Sequence, residues 1–265
     1  MTWFRVANPA HYPLDVLRSF GDSRVFGEVY GTGPLRVVWL HGWARTARDF
    51  SRAAQLLADR GVASVALDLP GFGASPPPDS AVGARLYGEL ILASLREIAE
   101  SPLVLVGHSF GGRVALSVAS EHPELAHALV LTGVPLVRLG PPKRSPFAYR
   151  ALRWLAGHRL VSDQRLEAAR QKYGSSDYKN ASGVIRDVLV ATMQENYERA
   201  LSSLSVPVIF VWGEGDREAP LEVAERAADL VTSPTSVVVV PGAGHFVPLE
   251  APDALVEATT RALRP

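Results

Sequence analysis

Three residues, Ser109, Asp216 and His245, bring a hydroxyl, a carboxylate and an imidazole into the chain in an order that suits nucleophilic chemistry. A serine hydroxyl is a weak nucleophile at neutral pH and becomes effective when an adjacent base accepts its proton. A carboxylate bound to the imidazole fixes its tautomer and stabilises the imidazolium that forms. We therefore expect Ser109 to be a nucleophile, His245 its base and Asp216 the acid that orients the base.

The serine lies in the motif GHSFG at residues 107–111, which matches the pattern G-x-S-x-G. An apolar run precedes the motif and a helical pattern follows it, as a sharp strand–turn–helix junction requires. Flanking glycines leave space where side chains would collide in such a turn. The alternative is a glycine-rich turn whose serine only caps the helix, but the later carboxylate and histidine favour the nucleophile.

The base and the acid are chosen by their position relative to buried strands. Of the seven histidines, only His245 both follows the candidate acid and lies in a glycine-rich loop after an apolar run. Asp216 comes just after another such run, at the carboxyl edge of the sheet, where ligands bind in open α/β folds. Glu214 and Glu218 are close competitors, whereas Asp68 precedes the serine and fits a role in its own turn.

Acyl transfer also needs hydrogen-bond donors for the oxyanion that develops on the substrate. The backbone N–H of Phe110, next to the nucleophile, and that of Trp43, in the loop after an early apolar run, are the candidate donors. Trp43, His108 and Phe246 are our tentative substrate-pocket residues. The indole of Trp43 fits a wall of the acyl pocket as well as an ordinary place in the core.

The elements that must position these residues alternate between apolar runs and helical patterns. Such alternation predicts an α/β fold, with a mostly parallel sheet covered by helices on both faces. The predicted strands are 24–30 (an edge strand), 37–40, 62–67, 103–106, 128–132, 207–211 and 236–240, and the predicted helices are 47–60, 84–100, 112–121, 221–230 and 254–263.

The alternation stops between residues 135 and 205, where the pattern is helical and shows no buried strand. We therefore expect a core made of residues 1–134 and 206–265, with an inserted helical cap at 135–205. The cap carries 12 Lys and Arg against 6 Asp and Glu, and the core carries 15 against 21. This asymmetry fits an anionic substrate, an acidic partner or a membrane surface, and equally a set of solvated basic helix faces.

Composition narrows the class of protein. The chain has 265 residues, of which 47% are hydrophobic and 20% charged, so it can bury a sizeable core. Lys and Arg balance Asp and Glu at 27 each, which gives no argument for binding nucleic acid. The chain has no cysteine, which excludes disulfides, thiolate nucleophiles and cysteine-ligated metals. No metal or cofactor motif, signal peptide or membrane-spanning stretch is recognised, so we expect no cofactor, no stable membrane insertion and a cytoplasmic location.

With these motifs the chain resembles the α/β-hydrolase superfamily along essentially its whole length. The likeness is carried by His41-Gly42, the turn at 68–75, the GHSFG motif, residues 212–216 and the loop at 242–250. The resemblance implies the nucleophile, acid, base and oxyanion donors named above. Haloalkane dehalogenases and epoxide hydrolases place an aspartate in the turn where this chain has Ser109, so the serine argues against dehalogenation.

The superfamily is chemically broad, and a fold alone does not choose among its reactions. Cleavage of small to medium carboxylic esters through an acyl-enzyme is the expected activity. The alternatives are a C–C bond hydrolase and a lyase like that of the menaquinone pathway, either acting on an anionic substrate. A further reading is a non-catalytic protein that binds a ligand on the hydrolase scaffold.

Overall fold

The computed structural model of the chain describes residues 16–140, 154, 162, 164–165 and 176–264. Within them, the strands are β1 (Val16–Phe20), β2 (Val25–Tyr30), β3 (Leu35–Leu40), β4 (Ala63–Asp68), β5 (Leu103–His108), β6 (Ala126–Thr132), β7 (Val208–Gly213) and β8 (Thr235–Val240). These eight strands form one sheet in the order β1-β2-β4-β3-β5-β6-β7-β8. β2 runs antiparallel to both of its neighbours, and all the other pairs are parallel.

The central strands read as continuous apolar runs because both of their faces are covered. Every residue of β4, β5 and β7 is buried. Successive side chains point to opposite faces, so Val38 and Leu40 of β3 enter one apolar cluster while Val37 and Trp39 enter the other. The sheet therefore separates two hydrophobic layers, each of which needs helices over it.

Two sets of helices cover these layers. α2, α3 and α7 contribute buried residues to the layer that contains Leu40, and α1 and α9 contribute to the layer that contains Trp39. A short 3-10 turn, Ala47–Phe50, leads into α1. The helices are α1 (Ser51–Ala58), α2 (Ala84–Ile98), α3 (Phe110–Glu121), α4 (Ser176–Asn180), α5 (Gly183–Thr192), α6 (Glu198–Ser202), α7 (Leu221–Leu230), α8 (Val247–Glu250) and α9 (Pro252–Ala262).

The predicted fold class, an α/β protein with a mostly parallel sheet, is confirmed. The strand predicted at 24–30 is present as β2, but its predicted edge position was wrong, because β2 lies between β1 and β4. The true edge, β1, escaped prediction because it is short, and its Leu17 is largely exposed, which leaves no clear apolar pattern. The single predicted helix 47–60 is divided between the 3-10 turn and α1.

The described residues of the segment predicted to be a cap include the helices α4 to α6 and contain no strand. Val188 of α5 and Leu201 of α6 are buried and belong to the same apolar layer as α2 and α3. Ile185 of α5 also reaches the loop after β4, since a Cβ on Gly71 would lie 2.2 Å from its Cδ1. The division into a core and a separate cap stays a prediction, because much of residues 141–175 falls outside the described part.

Candidate active site

The candidate nucleophile, Ser109, occupies the one-residue turn between β5 and α3. Its φ is +49° and its ψ is −111°, a region that residues with a Cβ rarely adopt. The Ser109 N–H donates to the carbonyl of Thr132 at 3.0 Å, and its own carbonyl accepts the N–H of Gly112 at 3.1 Å and of Arg113 at 3.3 Å. These bonds hold the strained residue at the carboxyl edge of the sheet, where such strain is typical of reactive residues.

The glycines around Ser109 allow α3 to approach the sheet closely. A Cβ on Gly111 would lie 2.2 Å from the carbonyl oxygen of Leu40 in β3, and one on Gly107 would lie 2.4 Å from the Cα of Gly112. Both contacts are with backbone atoms, which cannot move aside as a flexible side chain can. The spacing G-x-S-x-G is therefore required by the packing of the turn.

The candidate acid, Asp216, follows β7 and is 5% exposed. One carboxylate oxygen, Oδ1, accepts the backbone N–H groups of Glu218 and Ala219, each at 2.9 Å. The other, Oδ2, lies 2.9 Å from Nδ1 of His245. The indole N–H of Trp212 donates to the Ala219 carbonyl at 2.7 Å and secures the same turn. The carboxylate therefore has a single orientation, with one oxygen left for the histidine.

The candidate base, His245, donates its Nδ1–H to Asp216, which leaves the lone pair on Nε2 in the neutral ring. Burial lowers the pKa of His245, but the hydrogen bond and charge of Asp216, with the charges of Glu218 and Glu250, outweigh burial and raise the pKa above its usual value. The result is a base that retains a proton more readily than a free imidazole.

The other ring nitrogen of His245, Nε2, lies 3.5 Å from Oε2 of Glu218, whose side chain is 67% exposed. No hydrogen bond joins Nε2 to Ser109 Oγ in the described structure; such contacts are often loose before substrate binds. Glu214, the other competitor for the acid role, accepts the N–H of Gly242 at 3.3 Å instead.

The loop after β3 offers the first candidate oxyanion donor. Among the described residues, the N–H of Trp43 has no backbone acceptor. Ala44 has a φ of +54°, an unfavourable value for alanine, within a turn closed by Arg45 N–H and the carbonyl of Gly42 at 3.3 Å. The buried His41 accepts the Leu69 N–H on Nε2 at 2.9 Å, so its Nδ1–H donates to the Gly42 carbonyl at 2.7 Å.

Phe110, the second candidate donor, begins α3, and its N–H likewise has no backbone acceptor in the described part of the chain. The N–H of Gly111 donates to the carbonyl of His41 at 3.0 Å and joins this turn to the loop that carries Trp43. The Trp43 ring meets those of Phe72 and Phe110 edge-on, with centroids 5.1 and 5.3 Å apart. Its partly buried indole thus packs on the core while retaining an exposed edge.

Two of the tentative pocket residues lie in different surroundings. Phe246 is half-buried beside His245, with ring centroids 5.2 Å apart. His108 is only 1% exposed, and its Nε2–H donates to the carbonyl of His245 at 3.0 Å. Burial, with the neighbouring His245, lowers the pKa of His108 to about 4. His108 therefore lies beneath the base as a buried neutral support, and its assignment to the substrate pocket is corrected.

An ion pair that sequence reasoning missed lies beside Phe246. Arg45 donates two hydrogen bonds to Asp49, both at 2.7 Å, and its guanidinium sits 5.4 Å from the centre of the Phe246 ring. It thereby links the loop that carries Trp43 to the loop that carries His245. Opposite charges four residues apart, as at Arg45 and Asp49, often form an ion pair, and this spacing could have predicted the contact from the sequence.

The described residues contain neither a metal-binding cluster nor a membrane-spanning helix. No group of three or more His, Asp or Glu side chains is arranged there to hold a metal ion. None of the helices described is both long and apolar enough to span a lipid bilayer.

Residues 37–258 match the model of the alpha/beta hydrolase family, and the chain belongs to that family. The uncharacterized hydrolase YugF of Bacillus subtilis strain 168 is 30% identical over 249 residues, which cover 85% of this chain and 88% of that protein. The 2-(acetamidomethylene)succinate hydrolase of Mesorhizobium japonicum is 27% identical over 253 residues, covering 87% and 88%. A thermophilic esterase from Thermogutta terrifontis has the same fold, with a TM-score of 0.68 at 22% identity and coverages of 94% and 98%.

Proposed function

We propose that this α/β hydrolase is a serine esterase, which cleaves small to medium carboxylic esters through an acyl-enzyme intermediate. The observation that carries the proposal is the hydrogen bond between the buried Asp216 and His245, at the same sheet edge as the strained Ser109. A hydroxyl, a base of fixed tautomer and two N–H groups that have no acceptor among the described residues are the parts that acyl transfer requires.

In the first half of the reaction, Ser109 Oγ attacks the ester carbonyl carbon while its proton passes to Nε2 of His245. Asp216 stabilises the imidazolium, and the N–H groups of Trp43 and Phe110 stabilise the oxyanion of the tetrahedral intermediate. The bond to the alkoxide then breaks, and Nε2–H gives its proton to the departing alcohol. The product of this step is an ester between the acyl group and Ser109.

In the second half, Nε2 of His245 accepts a proton from water as the water attacks the acyl-enzyme. The tetrahedral intermediate collapses, Ser109 recovers its proton from the imidazolium, and the carboxylic acid leaves. No proton or electron is left over, so the cycle requires no cofactor.

We also propose that residues 135–205 form a cap that limits the size of the acyl group. The contact between Ile185 of α5 and the loop at Gly71 supports this role, because it places the segment against a loop at the same sheet edge. A shortened pocket predicts that p-nitrophenyl acetate and butyrate are hydrolysed faster than long-chain esters.

The decisive test compares hydrolysis of p-nitrophenyl acetate and butyrate by the wild-type protein, Ser109→Ala and Ser120→Ala. The control removes the Ser120 hydroxyl from α3, the helix that follows Ser109; this hydroxyl donates to the backbone carbonyl of Ser117. We expect loss of turnover in Ser109→Ala alone, and a covalent adduct on Ser109 when an aryl phosphonate is added. Equal turnover by wild type and Ser109→Ala would contradict the proposal. No turnover by either would redirect the assay to substituted succinates, the class named for the relative from Mesorhizobium.

A further inference from the structure

Glu218 places a carboxylate beside Nε2, the atom of His245 that accepts and donates protons in the proposed reaction. Its Oε2 lies 3.5 Å from Nε2, whereas Asp216 binds Nδ1 on the other side of the ring. The backbone of Glu218 is fixed, because its N–H donates to Asp216 Oδ1 at 2.9 Å. The position of this carboxylate therefore follows from the same turn that positions the acid.

The charge of Glu218 remains available to a substrate. Among the described residues, no lysine or arginine forms an ion pair with it, and its side chain is 67% exposed. Glu250, the other carboxylate near His245, is engaged by the backbone N–H groups of Gly244 and Phe246. Of these two carboxylates, Glu218 is thus the one that accepts no backbone hydrogen bond within the described part of the chain.

The chemistry of the proposed reaction identifies which part of the substrate comes near Glu218. Nε2–H must donate its proton to the oxygen of the leaving alcohol, so this oxygen comes within hydrogen-bond distance of Nε2. Since Oε2 of Glu218 lies 3.5 Å from the same Nε2, its charge lies close to the leaving oxygen when an ester is bound.

We propose that Glu218 determines specificity for the leaving group: it favours esters of cationic alcohols, accepts neutral ones and disfavours anionic ones. The inference rests on the proposed esterase function and specifies which charge on the leaving alcohol the enzyme prefers. Positive charge on the alcohol is attracted by the carboxylate, and negative charge is repelled by it at a partly exposed site. Discrimination of this kind arises from repulsion of the wrong substrate as much as from attraction of the right one.

The test uses three aryl acetates that share an acyl group and differ in the charge of the phenol: 3-acetoxy-N,N,N-trimethylanilinium, phenyl acetate and 3-acetoxybenzoate. Because the acyl-enzyme is the same for all three, differences in kcat/KM, after subtraction of uncatalysed rates, report on the acylation step. For the wild type we expect kcat/KM to be highest for the cationic ester, intermediate for the neutral one and lowest for the anionic one. Glu218→Gln should reduce the ratio of cationic to anionic kcat/KM about tenfold, the scale of a partly screened charge pair. Glu218→Lys should invert the order.

Glu257→Gln is the matched control, because it removes the same charge from a side chain of α9 that is 72% exposed and pairs with Arg60 at 3.4 Å. It should leave the ratio unchanged. A ratio unaltered by both Glu218 variants, with phenyl acetate hydrolysis still dependent on Ser109, would overturn the inference and leave the esterase proposal intact. Hydrolysis of phenyl acetate by Ser109→Ala at the wild-type rate would overturn both.

Discussion

Asp216 and His245 are joined by a hydrogen bond of 2.9 Å between Oδ2 and Nδ1, although 29 residues and a whole strand–helix unit separate them in the chain. The second oxygen of Asp216 already accepts two backbone N–H groups, from Glu218 and Ala219. The carboxylate therefore cannot rotate to offer another group to the imidazole. Its environment, more than its mere presence, fixes the tautomer of His245.

This arrangement predicts a large effect for Asp216→Asn. The amide oxygen should keep the two backbone N–H donors, so the amide NH₂ would face Nδ1 and force the proton onto Nε2. The ring would then be unable to accept the serine proton, and kcat should fall by about 10³–10⁴. Steady-state hydrolysis of p-nitrophenyl acetate measures kcat. The control is Glu214→Gln, which alters a carboxylate in the same turn and should leave kcat within about threefold of wild type. If Asp216→Asn retained more than a tenth of the wild-type kcat, the role assigned to Asp216 would be contradicted.

The raised pKa of His245 predicts the pH profile of the reaction. Protonated His245 cannot accept the serine proton, so kcat/KM should fall as the pH drops through the pKa of the free enzyme. Asp216, Glu218 and Glu250 raise that pKa, and we therefore expect the acidic limb above pH 6.5, the ordinary value for histidine. A profile of kcat/KM between pH 5 and 9 on a neutral ester measures the limb. A midpoint clearly below 6.5 would contradict the expectation.

His108 predicts a different pH effect, on stability. Its pKa is about 4 in the folded protein, because burial disfavours the charged ring. The unfolded chain binds this proton near pH 6.5, so the stabilisation is complete above that pH and is lost as the pH falls towards 4. Between pH 7 and 5 the contribution of His108 should decrease by about 2 kcal/mol.

Urea unfolding of the wild type and His108→Gln at pH 7 and pH 5 measures this contribution. Glutamine carries an amide that can donate to the carbonyl of His245 in place of the imidazole, but it does not titrate. The free energy of unfolding of the variant should therefore fall less between the two pH values than that of the wild type. His127→Gln, a change at a half-buried histidine next to the chain terminus, should behave like the wild type. Equal losses in wild type and His108→Gln would contradict the buried neutral role.

The sequence predicted those parts of the site that depend on local backbone geometry. Ser109 has a positive φ and needs small neighbouring residues, and the glycines of the GHSFG motif meet this requirement. The predicted acid and base residues are brought together as expected because parallel strands place the loops after them at one edge of the sheet.

The contacts that depend on tertiary packing were not predictable in this way. His108 lies beside the nucleophile in sequence, but its side chain contacts His245, and a partner so distant in the chain cannot be inferred from the pattern of a turn. Glu218 was considered only as a competitor of Asp216 for Nδ1. Its position at Nε2 follows from the way the turn is held by Asp216 and Trp212.

The close packing at Gly111 gives a prediction about folding. A methyl group there would lie 2.2 Å from the carbonyl oxygen of Leu40 and 2.5 Å from that of His41, so α3 would have to move away from β3. Gly111→Ala should destabilise the protein by about 3 kcal/mol, the upper end of ordinary overpacking. It should also displace Ser109, so that activity falls even where the variant remains folded.

Gly88→Ala provides the comparison, because Gly88 lies within α2 and its added methyl would approach the side chain of Val118 at 3.2 Å. The gain in helix propensity, about 1 kcal/mol, offsets much of that crowding, so stability should change little. Urea unfolding and p-nitrophenyl acetate turnover, measured together, test both variants. If Gly111→Ala were as stable and as active as Gly88→Ala, the close contact between α3 and β3 would not be what positions the nucleophile.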